Sequence, residues 1–167
     1  MPILTADTLE FISRNPEQTR RLGARLGHLL RGGDVIALVG ELGSGKTVFA
    51  QGIGEGWGTT TPLISPTFIL VRQHERYNDP TRLYHVDLYR LEGAEAIATI
   101  GLEELLGDPA AVTIVEWADR APDFFPEERL RVELRWMDTY RRALTFRAFG
   151  ARHRALLDDF RARLIGQ

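Results

Sequence analysis

The stretch Gly40-Glu41-Leu42-Gly43-Ser44-Gly45-Lys46-Thr47 constrains this chain more than any other. It satisfies G-x-x-x-x-G-K-[ST] at every fixed position, the pattern of a loop that wraps phosphate groups. Glycines let such a backbone turn its N–H groups inward, through conformations closed to residues that carry a Cβ. A helix that begins at the loop adds the positive end of its dipole to the same anion. In a loop of this kind Lys46 reaches the β- and γ-phosphates as a point charge, and the Thr47 hydroxyl ligates Mg²⁺. The flanks have the required order. Asp34–Val39 is a short, apolar, β-branched run that predicts a buried strand. Beyond the loop, Val48, Phe49, Ile53 and Trp57 recur at near-helical spacing.

The chain has twenty arginines and a single lysine, and that lysine is Lys46. Arginine serves wherever a generic positive charge suffices. The exception sits where a compact ammonium fits and a wide planar guanidinium would not.

At 167 residues the whole chain, 1–167, is expected to be one domain with a substantial core. The expected class is α/β and P-loop NTPase-like, a mostly parallel central sheet flanked by helices with antiparallel hairpin additions. No long apolar span and no secretory leader is expected, and the absence of cysteine excludes a disulfide framework, thiolate metal sites and a Cys nucleophile. These features fit a cytoplasmic protein. The net charge of −2 hides an asymmetry. Residues 73–128 carry thirteen acids against four arginines, whereas residues 129–167 carry ten arginines against four acids. A surface so divided suits protein partners or RNA, or it solvates an outer face.

In chain order, Leu9–Ser13 reads as a short edge strand, and Asn15-Pro16 as a capped helix start. Leu22, Leu26, Leu29 and Leu30 give that helix its apolar stripe, and Gly32-Gly33 ends it. Residues 54–66 are rich in Gly, Thr and Pro and read as an irregular loop. Its Ser65-Pro66-Thr67-Phe68 is either a switch-like γ-phosphate sensor or an ordinary strand-entry turn. Thr67–His74 and Arg82–Tyr89 read as strands joined by a turn at Tyr77–Pro80. His85 and Asp87 then share one strand face, opposite Val86 and Leu88. A carboxylate in so apolar a strand needs a partner, either an arginine or a metal. Glu92–Leu106 reads as one or two short helices ending at Gly107. Ala111–Trp117 is an apolar run ending in Glu116, where a nucleotide-binding sheet holds Mg²⁺ opposite the phosphate loop. Residues 129–136 and 144–148 alternate as an antiparallel pair, followed by an arginine-rich amphipathic helix over 151–164.

Together, G-E-L-G-S-G-K-T, S-P-T-F some twenty residues later, H-V-D-L-Y-R on a strand and E-W ending the next resemble the TsaE (YjeE) family. That family is the ATPase subunit of bacterial tRNA threonylcarbamoyladenosine synthesis. The resemblance spans roughly residues 9–150. It implies an ATP-hydrolysing subunit that acts with TsaB and TsaD to modify adenosine 37 of ANN-decoding tRNAs, meeting tRNA indirectly through the complex. It implies that residues 41–47 and Val48 hold the nucleotide, Thr47 with Glu116 holds Mg²⁺, and Lys46, Asp87 and Glu116 are catalytic. Asp87 would orient the attacking water or the metal shell. Ser65 and Thr67 would belong to a switch-like loop. An N-terminal E-x-T-x-x-L-G-like element, here Glu17–Gly23, puts Thr19 near the base, and Arg142 is a candidate nucleotide or partner contact. The residues themselves agree on adenine, because the guanine-reading N-K-x-D element needs a second lysine. The other reading is a stand-alone P-loop kinase of a small metabolite. Partner-dependent turnover separates the two.

Overall fold

The computed structural model describes residues 7–64 and 70–165. The central strand β2 (Val35–Val39) is apolar on both sides, with Ile36 and Leu38 entering one cluster and Val35 and Ala37 the other. A strand buried on both faces accepts parallel neighbours. β2 lies between β5 (Ala111–Glu116) and β6 (Arg129–Trp136), parallel to both, and β4 (Asp79–Asp87) runs parallel on the far side of β5. Antiparallel strands finish both edges. β3 (Val71–Arg76) pairs with β4, β7 (Arg142–Phe149) with β6, and β1 (Thr8–Ser13) with β7. The order is β1-β7-β6-β2-β5-β4-β3, so the expected parallel centre with antiparallel additions is borne out.

Three helices cover one face: α1 (Pro16–Gly27), α2 (Lys46–Trp57) and α5 (Ala151–Ile165). Their Leu22, Leu26, Phe49, Ile53, Leu156 and Phe160 share one core cluster. The Phe146 ring of β7 stacks 5.9 Å from Phe49 and 5.1 Å from Phe160, tying α2 and α5 through the sheet. The other face holds α3 (Gly93–Ala98) and α4 (Leu102–Leu106), split by Gly101 in a left-handed conformation, as the two-helix option expects. Ile97, Leu102 and Leu106 pack there on Val86, Leu88 and Val115.

The expectation of an irregular loop from residue 54 is corrected, because α2 continues to Trp57. Its glycines are contact points, not breakers. A Cβ on Gly52 would stand 2.0 Å from the Arg20 carbonyl oxygen, and one on Gly56 1.9 Å from that of Ala24. Gly23 and Gly27 of α1 are equally crowded from the other side, 2.4 Å from the Phe49 oxygen and 2.2 Å from the Ile53 oxygen. The helices touch backbone to backbone through two facing G-x-x-x-G pairs, and an Arg20–Glu55 ion pair flanks the seam.

Helix α1 ends at Gly27, earlier than the leucine stripe suggests. The Leu29 and Leu30 N–H groups bond three residues back, to Leu26 and Gly27, and this tightened turn closes the helix. Strand β4 likewise starts at Asp79 rather than Arg82, so Asp79 and Pro80 leave the turn. Asn78, at φ 58°, makes Tyr77-Asn78 a two-residue connection. Pro80, which lacks an N–H, is tolerated because β4 meets β5 only from Arg82 onward.

Helix α5 is pinned to the start of β2. Arg152 donates to both carboxylate oxygens of buried Asp34, at 2.9 and 2.8 Å, and His153 Nε2 accepts the Val35 N–H at 3.1 Å. Burial pushes the pKa of His153 below its ordinary value, with Arg152 adding to the effect and Asp34 and Glu128 opposing it. His74, also buried, shifts the same way, chiefly through desolvation. An unfolded chain therefore takes up protons below about pH 6.5 that the folded one refuses. This part of the stability is complete above that pH and is lost as pH falls toward the depressed folded values. Urea midpoints are expected to be lower at pH 5.5 than at pH 7.5, with His153→Gln reducing the difference. An undiminished difference in that variant would remove His153 from the account.

Candidate nucleotide site

Residues 40–45 leave the carboxyl end of β2 and feed α2, whose N-cap is Gly45 at φ 99° with no side-chain cap. Its first-turn N–H groups therefore face the loop without a side-chain acceptor. At Gly40 a Cβ would stand 2.4 Å from the Leu134 oxygen, so only glycine lets the chain turn there. Lys46 is almost fully buried, and its Nζ donates to the carbonyls of Gly40 (2.5 Å) and Glu41 (2.9 Å) and to Ser44 Oγ (3.3 Å). The ammonium also lies 4.0 Å from the centroid of the Trp117 ring. Desolvation lowers its pKa, while Glu116, Asp119 and Asp87 pull it back up.

The acids arrive from the neighbouring strands. Parallel pairing sets Asp87 directly beside Glu116, with Leu38 on the other side of Glu116. Glu116 is 1% exposed, and its two oxygens are engaged separately. Oε1 accepts from the Thr47 hydroxyl at 2.8 Å, and Oε2 accepts from His85 Nε2 at 2.6 Å. The carboxylate can only accept, so His85 carries its proton on Nε2. His85 Nδ1 has no hydrogen-bond partner among the described residues. Asp87 Oδ1 accepts the Tyr89 N–H at 2.9 Å. Burial raises the Asp87 pKa and adjacent Glu116 adds to this, against the Tyr89 N–H, His85 and Lys46.

Trp117 follows with φ 59°, a left-handed conformation that strains a bulky residue. The twist turns its ring back over Lys46 and 5.0 Å from Tyr89. These groups form one end of a cleft of about 430 Å³, which Leu42, Gly43, Gly45, Thr47 and Val48 also line. Glu41 lends its carbonyl to Lys46, and buried Ser44 its hydroxyl.

Thr19 and Arg142, the two expected residues far from the loop in sequence, line the same cleft. The Thr19 hydroxyl is already committed, lying 2.6 Å from Ser13 Oγ and 3.4 Å from the Asn15 oxygen. What Thr19 turns toward Gly45 is its methyl group. Arg142 Nε donates to the Gly43 oxygen at 3.2 Å, and Nη1 donates to Asp138 O at 2.7 Å and Arg141 O at 2.9 Å. It thus ties the phosphate loop to the β6–β7 turn. Ser65 and Thr67 lie outside the described residues.

Sequence reasoning missed the His85–Glu116 pair, the Trp117 ring over Lys46, and Tyr89 and Tyr140 on the cleft wall. Signals existed for His85, which sits two residues before Asp87 on the same strand face, and for Tyr89 and Trp117, which fall within the H-V-D-L-Y-R and E-W motifs.

The family model described as "Threonylcarbamoyl adenosine biosynthesis protein TsaE" matches residues 13–144, from the serine under Thr19 to just past Arg142. The chain belongs to the TsaE family. It is 36% identical to the tRNA threonylcarbamoyladenosine biosynthesis protein TsaE of Bacillus subtilis, over 90% of this chain and 92% of that one. The Streptomyces coelicolor protein of the same name is 42% identical over 69% of this chain and 77% of its own length. Among solved structures, YdiB of Bacillus subtilis superposes with a TM-score of 0.74 at 29% identity, covering 93% of this chain and 95% of that one. Family and P-loop fold together support an ATPase-type enzyme that binds nucleotide. No helix among the described residues is long and apolar enough to cross a membrane.

Proposed function

We propose that this chain, as a single domain, is the Mg²⁺-dependent ATPase subunit of a tRNA-modifying machinery. It works in the cytoplasm with TsaB- and TsaD-type subunits to form threonylcarbamoyladenosine at adenosine 37 of ANN-decoding tRNAs. The observation that carries this is the row Thr47–Glu116–Asp87 at the mouth of a glycine-walled loop. A hydroxyl paired with a carboxylate is the donor set that Mg²⁺ uses when nucleotide phosphates supply the remaining ligands. Bound there, Mg²⁺ would neutralise phosphate charge and favour its transfer.

The chain's own groups divide the remaining work. Lys46 and backbone N–H groups of the loop 41–47 hold the phosphates, with Val48 beside them. Asp87, its pKa raised by burial, accepts a proton from and orients the attacking water. His85 holds Glu116 in the orientation that Thr47 requires. Thr19 packs its methyl beside the base end of the cleft, and Arg142 senses the loop through Gly43. Ser65 and Thr67 are retained as the switch-like loop.

The test is the ATP hydrolysis rate of the protein alone, then with TsaB and TsaD, each with Mg²⁺ or with EDTA. A slow basal rate, a rise of at least about tenfold with the partners, and none in EDTA are expected. Rapid hydrolysis that the partners leave unchanged would overturn the proposal and redirect the search to small phosphoryl acceptors.

A further inference from the structure

Among the described residues, no helix packs an apolar cluster onto the β1, β7 and β6 part of the sheet on the face opposite α1, α2 and α5. The apolar cluster under α3 and α4 includes no residue of β1, β6 or β7. Parallel pairs such as β2–β6 are ordinarily covered on both faces. Here the outward side chains of β6 are charged instead. Along β6 they are Arg129, Arg131, Glu133 and Arg135, and β7 sets Arg147 directly across from Arg131. Like charges in opposed cross-strand positions cost stability.

Acids offset this only in part. Glu133 lies 3.3 Å from Arg131 and Glu10 2.9 Å from Arg135, while Glu127 is beside Arg129. Arg147, exposed, has no ion pair among the described residues. Arg129 and Arg147 both approach the Phe149 ring, at 4.2 and 5.2 Å. Arg129 is held below its ordinary pKa by burial and then by Arg131 and Arg147. A concavity of about 190 Å³, floored by Ala37 and Val39 and walled by Phe125, opens beside Arg129 and Arg131, with Asp119 also on its wall.

We propose that this β6–β7 face, through Arg129, Arg131 and Arg147, docks the phosphate backbone of RNA directly. Planar guanidiniums beside an aromatic ring suit phosphates and unstacked bases, which favours RNA over an acidic protein surface. The choice of tRNA as ligand rests on the proposed place in tRNA modification, but the binding needs neither nucleotide nor partner proteins.

The experiment measures tRNA binding by the full chain alone, without nucleotide, by fluorescence anisotropy at several salt concentrations. The parent is compared with R131Q/R147Q and with R154Q/R163Q, which removes two exposed arginines of α5. The β-face variant is expected to bind at least about tenfold more weakly at low salt. Its slope of log K against log salt should shrink by about 1.5, the loss of roughly two phosphate contacts. Its melting temperature should equal or exceed the parent's, since an opposed like-charge pair is gone. The α5 variant should bind as the parent does. No tRNA binding by the parent, or equal binding by R131Q/R147Q, would overturn the inference. So would a variant that keeps tRNA but no longer associates with TsaB and TsaD, because the face would then belong to an acidic protein. Failure of partner-stimulated hydrolysis with the RNA result intact would overturn the proposed function and leave this face assigned.

Discussion

Lys46→Ala is expected to lower partner-stimulated ATP hydrolysis by about a hundredfold to a thousandfold, the usual effect of removing one preorganised cationic donor from a transferring phosphate. Lys46 is the only lysine in the chain, and it is desolvated beside three carboxylates that favour its charge. Its Nζ reaches back to the first two residues of the loop and donates to their carbonyls, so it stands at the centre of the loop. Lys46→Arg should fail nearly as badly, because a fork-shaped guanidinium cannot follow the path of an ammonium packed between two carbonyls and the Trp117 ring. Single-turnover hydrolysis with both variants measures this directly. A rate within threefold of the parent in Lys46→Arg would mean that the site needs only a positive charge.

The second large effect is on stability. Gly52→Ala is expected to cost about 3 kcal/mol, at the upper end for an overpacked core position. The added methyl would stand 2.0 Å from the Arg20 carbonyl, which is backbone and cannot rotate away. The helices must separate by more than an ångström, which loosens Leu22, Leu26 and Ile53 together. For a domain of this size the loss corresponds to a fall in Tm of about 10 °C. Gly58→Ala is the contrast, since its Cβ meets nothing within 4 Å and only the φ of 98° opposes it. Circular-dichroism melts of the two variants separate close approach from backbone strain. Equal falls in Tm would show that the helix seam is not the cause.

The sequence made the phosphate loop, its feeding strand and the two acids legible because each is a local pattern. Glu116 closes an apolar run, and Asp87 stands out in a strand otherwise apolar and aromatic. What it concealed was set by distance along the chain. Glycines at 54 and 56 look like loop residues until Leu63 is seen to need the missing side chain of the first and α1 that of the second. The His85–Glu116 bond links residues thirty-one positions apart, and only the β4–β5 register brings them together. The Thr19 hydroxyl reads as a ligand contact until Ser13 is found to occupy it. The Trp117 ring turns over Lys46 through a backbone angle that no residue pattern announces.

The pairing of β1 with β7 carries a consequence for how the protein is made. Thr8 finds its partner only in Arg147, at the far end of the sheet-forming chain. At ribosomal speeds of about 5–20 residues per second, roughly 7 to 28 seconds pass between the emergence of the two strands. During that interval α1 can pack on α2, but β1 has no strand beside it and Arg142 has not yet reached Gly43. The nascent chain therefore holds Leu22, Leu26, Phe49 and Ile53 in a cluster that lacks Leu144, Phe146 and Phe160 until the last strand and helix are made, and that incomplete core is the stage most open to aggregation.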